Sequence, residues 1–164
     1  MKAKPEKVRK FDLSQSIAWA KVAKAVNNNW TLTLDDDVYT WNNRMERVSL
    51  IRKRLPFETI EVVAKMADLP VKQILNYLGM NQAAFTKKKR DGDSLSVRDS
   101  EIMLLLFELL QFGAQVFNQE TEKFHRWLKK PNTSLGDDSP SSLFDSVSGI
   151  QEVKNALNRL EYGI

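Results

Sequence analysis

At 164 residues and 42% hydrophobic content, the chain is long enough for one sizeable core or two small ones. The absence of cysteine excludes a disulfide scaffold, a thiolate metal site and a cysteine nucleophile together, and suits a reducing compartment. The net charge of +4 is lodged in the N-terminal third: residues 1–55 hold 12 cationic and 6 anionic side chains, residues 56–112 hold 7 and 8, and residues 113–164 hold 6 and 7. Glycine and proline are sparse and no strand-like alternation persists, which predicts a mostly helical protein. No apolar run reaches the length of a membrane span, and the N-terminus lacks the apolar stretch of a signal peptide, so a cytoplasmic protein is expected.

Residues Met1 to Lys10 read as a disordered basic tail. A short helix is predicted from Ser14 to Val26, with Trp19, Val22, Ala23 and Val26 on one stripe, broken by Asn27 to Asn29. Asp35, Asp36 and Asp37 put negative charge where a second helix would begin. That helix would carry Val38, Trp41, Met45 and Val48 at three- and four-residue steps and end in Arg52, Lys53 and Arg54 before Pro56. The pair reads as an amphipathic helical hairpin packed on the next domain, or as a further contact surface.

A helix over about Glu58 to Ala67 follows, and Pro70 opens another with Ile74, Leu75 and Leu78 inside. The segment Val71 to Gly92 has the spacing of a helix-turn-helix. Gly79 supplies the positive φ of the turn, Asn81 caps the second helix, and Phe85 points back to the core. Gln82, Thr86 and Lys87 then face outward at the leading end, where base edges are read; Lys88, Lys89 and Arg90 suit phosphate contact or a solvated helix end. The candidate DNA-binding set is Asn81, Gln82, Thr86, Lys87, Lys88, Lys89 and Arg90.

Ser96 with Asp99 starts a long helix, apolar on nearly all sides from Ile102 to Gly113. It is a core helix, alone or with a homodimer interface added. The last third, Val116 to Ile164, reads as three short helices. Asn118 caps the first, with Phe124, Trp127 and Leu128 as its stripe, ended by Pro131 and Asn132. Ser139–Pro140 opens the second, which Gly149 stops. The third repeats Ile150, Val153, Leu157 and Leu160.

The order of these residues, Val-Phe, Trp-Leu three residues before Pro-Asn, Leu-Gly, Ser-Pro, Leu-Phe, and a closing Leu-Glu-Tyr-Gly, resembles the toxin-binding domain of Xre-type antitoxins. Such antitoxins, with the related Xre/MbcA/ParS-like module, belong to bacterial RES–Xre type II toxin–antitoxin systems. The resemblance is close over Val116 to Gly163 and looser over the helix-turn-helix. It departs at Asp137, where the family usually has a second glycine, and at Phe124, where a small residue is common. The implied fold is all-α. Residues 1–55 form a basic tail and helical extension, residues 56–115 an Xre-like helix-turn-helix domain, and residues 116–164 a three-helix toxin-binding module. The resemblance further implies a cognate RES-domain toxin that depletes NAD, so that the nicotinamide cofactor belongs to the partner, and operator DNA bound for autorepression by a homodimer. The candidate toxin-binding residues are Arg159, Glu161, Tyr162, Gly163 and Ile164. The alternative reading is a stand-alone helix-turn-helix regulator whose C-terminal module binds another protein. A chain ending near Gly113 is expected to fold around the helix-turn-helix by itself.

No catalytic, metal or cofactor site is read. His125 is the single histidine and is assigned a packing or surface role, and no glycine-rich phosphate loop or calcium loop surrounds Asp35 to Asp37 or Asp137–Asp138. An enzyme is therefore not expected.

Overall fold

The protein is described here by a computed structural model covering residues 29–163. The lysine-rich start, the helix predicted over Ser14 to Val26 and the terminal Ile164 lie outside the described residues. Where the sequence predicts a helix opened by three aspartates, the chain forms strands β1 (Trp30–Leu34) and β2 (Asp37–Trp41), paired antiparallel with Trp30 opposite Trp41 and Leu34 opposite Asp37. Asp35 and Asp36 make the connection, and Asp35 takes φ 44°, which aspartate tolerates better than most residues. The alternation that drives the pairing is short: Leu32, Leu34 and Trp41 go inward, while Thr31, Thr33, Val38 and Thr40 face out. The expected helical extension is thus a β-hairpin followed by one helix, α1 (Arg44–Lys53), capped by Asn43, whose side chain accepts from the Glu46 N–H.

The rest is helical: α2 (Thr59–Ala67), α3 (Val71–Leu78), α4 (Gln82–Arg90), α5 (Val97–Val116), α6 (Thr121–Lys129) and α7 (Val147–Tyr162). Two single 3-10 turns, Thr133–Leu135 and Pro140–Leu143, connect α6 to α7. The local signals for α2 to α5 act as predicted. Gly79 closes α3 at φ 67°, the Asn81 side chain accepts from the Ala84 N–H at 2.7 Å, and Ser96 Oγ accepts from the Asp99 N–H at 3.0 Å.

Helix α5 is the axis of the molecule. Ile102, Met103, Leu104, Leu106, Phe107, Leu109 and Leu110 are all buried, and α1, α2, α6 and α7 pack around them. One hydrophobic core runs from Leu32 in the hairpin to Leu157 in α7, across both of the expected domain boundaries. A chain ended at Gly113 would strip α6 and α7 from this central helix, so the expectation that it folds alone is withdrawn.

A carboxylate on α5 enters this core. Glu108, 8% exposed, accepts from Trp41 Nε1 at 2.7 Å and from Arg47 Nη1 at 2.6 Å. The hairpin and α1 are therefore tied to α5 by a buried carboxylate in addition to the Trp41–Phe107 ring contact at 5.6 Å.

Candidate functional site

Two surfaces bear on function. The first is α4, whose residues Gln82, Ala83, Thr86, Lys87 and Arg90 lie exposed on one side while Phe85 is buried 6.2 Å from the Phe57 ring. Asn81 uses its side chain to cap the helix, which occupies it locally. Thr86 Oγ1 donates to the Gln82 carbonyl at 2.9 Å, and the Gln82 side-chain amide donates to the same hydroxyl at 3.4 Å. The cations differ among themselves. Lys89 Nζ donates to both oxygens of Glu61 at 2.8 and 2.7 Å, and that carboxylate bond raises its pKa. Lys88 stands 5.9 Å over the Phe57 ring, and Arg90 Nε lies 3.4 Å from Asp91. Lys87 makes no ion pair with a described residue.

The second surface is the C-terminal module. Its local reading needs three corrections. Asn118 does not cap α6; it and Gln119 take φ 52° and 65° in the turn that ends α5, and Glu120 precedes α6. Ser139–Pro140 opens a four-residue 3-10 turn rather than an α-helix, and the Ser139 side chain makes no cap bond there. Gly149 stops nothing: it lies in the first turn of α7, where its N–H donates to the Ser146 hydroxyl at 3.1 Å. Its need for glycine is steric, since a Cβ at that position would fall 2.1 Å from the Leu143 carbonyl oxygen.

The two departures from the antitoxin pattern each have a physical setting. The Phe124 ring fills the notch left by Gly113, where an added Cβ would lie 2.2 Å from Cζ, and it packs on Phe117 and Trp127. Asp137 adopts φ 66° directly after Gly136 at φ 69°, a backbone shape that a second glycine takes without strain. We expect Asp137→Gly to stabilise the fold by a few tenths to about 1 kcal/mol. A chemical denaturation midpoint that moves downward would refute this.

His125 joins the module to α2. Its Nε2 lies 2.9 Å from the Met66 carbonyl in the last turn of α2, so Nε2 must carry the proton and donate. Lys129 pairs with Asp68 at the same joint, and this bond lowers the Asp68 pKa. Tyr77 of α3 meets Phe144 edge-on at 6.1 Å, and burial raises its pKa.

The described residues of the expected toxin-binding end come together on the last turn of α7. Tyr162 is 70% exposed and Leu160 is 53% exposed, so Leu160 leaves the apolar repeat that the sequence assigns it, and Ala156 joins the buried face in its stead. Glu161 is exposed, Arg159 is half-buried, and Gly163 ends the helix at φ 67°. Asn155 bonds with Gln151 and Glu152 rather than Arg159. Tyr162 makes no ring contact with Trp127 among the described residues. The exposure of Leu160 was not legible, because spacing along a helix does not reveal where the neighbouring surface stops.

The helical chain thus carries one helix with a cationic end, α4, and a last helix that leaves Leu160 and Tyr162 unburied. Residues 113–163 match the model of the family described as Antitoxin Xre/MbcA/ParS C-terminal toxin-binding domain. Similarity extends beyond that domain. Antitoxin Xre of Photorhabdus laumondii subsp. laumondii is 22% identical over 116 residues, covering 71% of this chain and 78% of that protein. Antitoxin Xre of Yersinia enterocolitica is 24% identical over 117 residues, covering 71% and 79%. A protein of Sphingobium sp. named Prs ADP-ribosylating antitoxin is 25% identical over 127 residues, covering 73% and 80%. The resemblance read in the closing third of the sequence is borne out as an antitoxin toxin-binding domain. Among the described residues, no helix is long and apolar enough to cross a membrane.

Proposed function

We propose that this chain is an antitoxin that binds and inhibits a cognate RES-domain toxin, and that as a homodimer in the cytoplasm it binds operator DNA to repress its own operon. The observation that carries the inhibitory role is the end of α7. Leu160 and Tyr162 present apolar area that the fold does not use, within the domain family whose function is toxin binding. A tyrosine there offers large contact area with a polar tip, and Arg159 adds a planar guanidinium for an anionic or phosphate-recognising pocket. The name of the Sphingobium relative links an antitoxin to ADP-ribosylation, chemistry that draws on NAD. This supports a partner that uses NAD. Gln82 and Thr86 are the proposed base readers, and Lys87, Lys88 and Arg90 the phosphate contacts.

Deleting residues Tyr162 to Ile164 tests the inhibitory surface. Because Tyr162 is exposed, the melting temperature should stay within about 2 °C of the parent, about 0.5–1 kcal/mol at most for a chain of this size. Inhibition of NAD consumption by the toxin from the adjacent gene should weaken by roughly 30-fold or more, the effect of losing one interface hot spot. Full inhibition by the shortened chain would move the contact elsewhere. Failure to co-purify with any product of the adjacent gene would instead favour a stand-alone regulator.

A further inference from the structure

We propose that Arg52, Lys53 and Arg54, at the end of α1, form a second phosphate-binding limb of the DNA surface, gripping the backbone of the duplex that α4 reads. This rests on the DNA-binding role proposed above, and it assigns that role to a segment outside the helix-turn-helix.

Placement is the first ground. The residue after Arg54 is laced to the strand of chain that leaves α4: the Leu95 N–H donates to the Leu55 carbonyl at 2.8 Å, and Pro56 and Ser94 form an antiparallel bridge. The Leu55 N–H donates in turn to Ser100 Oγ at 3.0 Å, which fixes this joint to the start of α5. From α4 itself, Lys88 reaches over Phe57, three residues beyond Arg54. The basic end of α1 and the basic end of α4 are therefore neighbours, although more than thirty residues separate them in sequence.

Charge is the second. Of the four cations that close α4, Lys89 is neutralised by Glu61, and Arg90 has Asp91 beside it. Lys87, Lys88 and the partly screened Arg90 give a weak electrostatic grip by themselves, because affinity for a duplex scales with the number of phosphates neutralised. Arg52, Lys53 and Arg54 are all exposed, and none forms an ion pair with a described residue.

Backbone strain is the third. Arg54 sits at φ 64° and ψ 142°, a region that glycine favours and arginine resists. Cations in the last turn of a helix complement its dipole, which accounts for Arg52 and Lys53. That explanation does not reach Arg54, which lies past the helix in a conformation that costs the fold stability. A side chain held at such a position is explained by what its guanidinium binds.

The test uses the full chain, with affinity measured by fluorescence anisotropy between 50 and 200 mM salt. Two duplexes serve as probes: the DNA upstream of the chain's own gene and a scrambled sequence of equal length. Arg54→Gly should raise the melting temperature while lowering the slope of log affinity against log salt by about 0.9. Combined with Arg52→Gln and Lys53→Gln, it should lower that slope by roughly 2 to 3 on both duplexes alike. Lys87→Gln with Arg90→Gln provides the comparison on α4. If that pair lowers the slope and the triple variant does not, the limb is refuted while the DNA reading stands. If the parent binds neither duplex at 50 mM salt, both fall. A lower melting temperature for Arg54→Gly with an unchanged slope would make the arginine structural.

Discussion

Arg47→Ala should cost about 3 kcal/mol of stability and lower the melting temperature by roughly 6–12 °C. The reason is what it leaves behind. Glu108 sits in the core on α5, and without Arg47 its carboxylate would keep only the Trp41 indole as a partner. Removing one member of a buried ion pair strands a charge in a low-dielectric setting, at a cost of about 3–5 kcal/mol. We take the lower end because the Arg47 side chain retains 22% exposure, which lets water reach one side of the pair. Replacing both residues with methionine should recover most of the loss, since an apolar pair needs no charge compensation. Thermal melts of the two single variants and the double variant decide the matter. If Arg47→Ala melts within about 2 °C of the parent, Glu108 is solvated and the hairpin is held by packing alone.

Gly149→Ala should lower stability by about 2 kcal/mol, equivalent to roughly 4–8 °C. Two effects oppose each other here. Alanine gains up to about 1 kcal/mol of helix propensity over glycine. Against this, the new Cβ would press on the Leu143 carbonyl oxygen, and backbone in a 3-10 turn cannot rotate away as a side chain could. Overpacking of this kind costs about 1–3 kcal/mol, and contact with rigid backbone puts it at the upper end, so the clash prevails. The joint between the 3-10 turn and α7 also sets the direction of the last helix. Toxin inhibition by the surviving folded protein should therefore fall as well. A variant that melts at or above the parent temperature would show that the joint opens freely.

The contrast between these residues explains which parts of the fold were readable. Asn81, Gly79, Pro70 and Ser96 act within four residues of themselves, so their capping and turn roles followed from sequence alone. Asp35 to Asp37 carried the same kind of local signal and misled, because acidic residues suit both a helix start and a tight turn between strands. Thr31 to Leu34 does alternate, but four residues of alternation are too few to outweigh a competing helical stripe. Gly149 shows a further limit: a glycine that ends a helix and one that admits a neighbouring carbonyl look alike in one dimension. Glu108 went unremarked within a run of leucines, since its partners Arg47 and Trp41 lie 61 and 67 residues away. At the candidate sites, the outward face of α4 followed from helical spacing, whereas the exposure of Leu160 on α7 did not. The carboxylate that occupies Lys89 and the pairing of Leu55 with Leu95 are tertiary facts with no local trace.

The single core through α5 also sets how the protein would be lost. A domain that unfolds as one cooperative unit is degraded as one unit, because a protease that gains entry at either end meets no independently stable remainder. On the proposed function, repression and toxin inhibition then share one half-life: no truncated repressor outlasts the inhibitor, and no free inhibitor outlasts the repressor. Each chain destroyed would derepress the operon and free a toxin in the same event, so resynthesis begins whenever protection starts to fail.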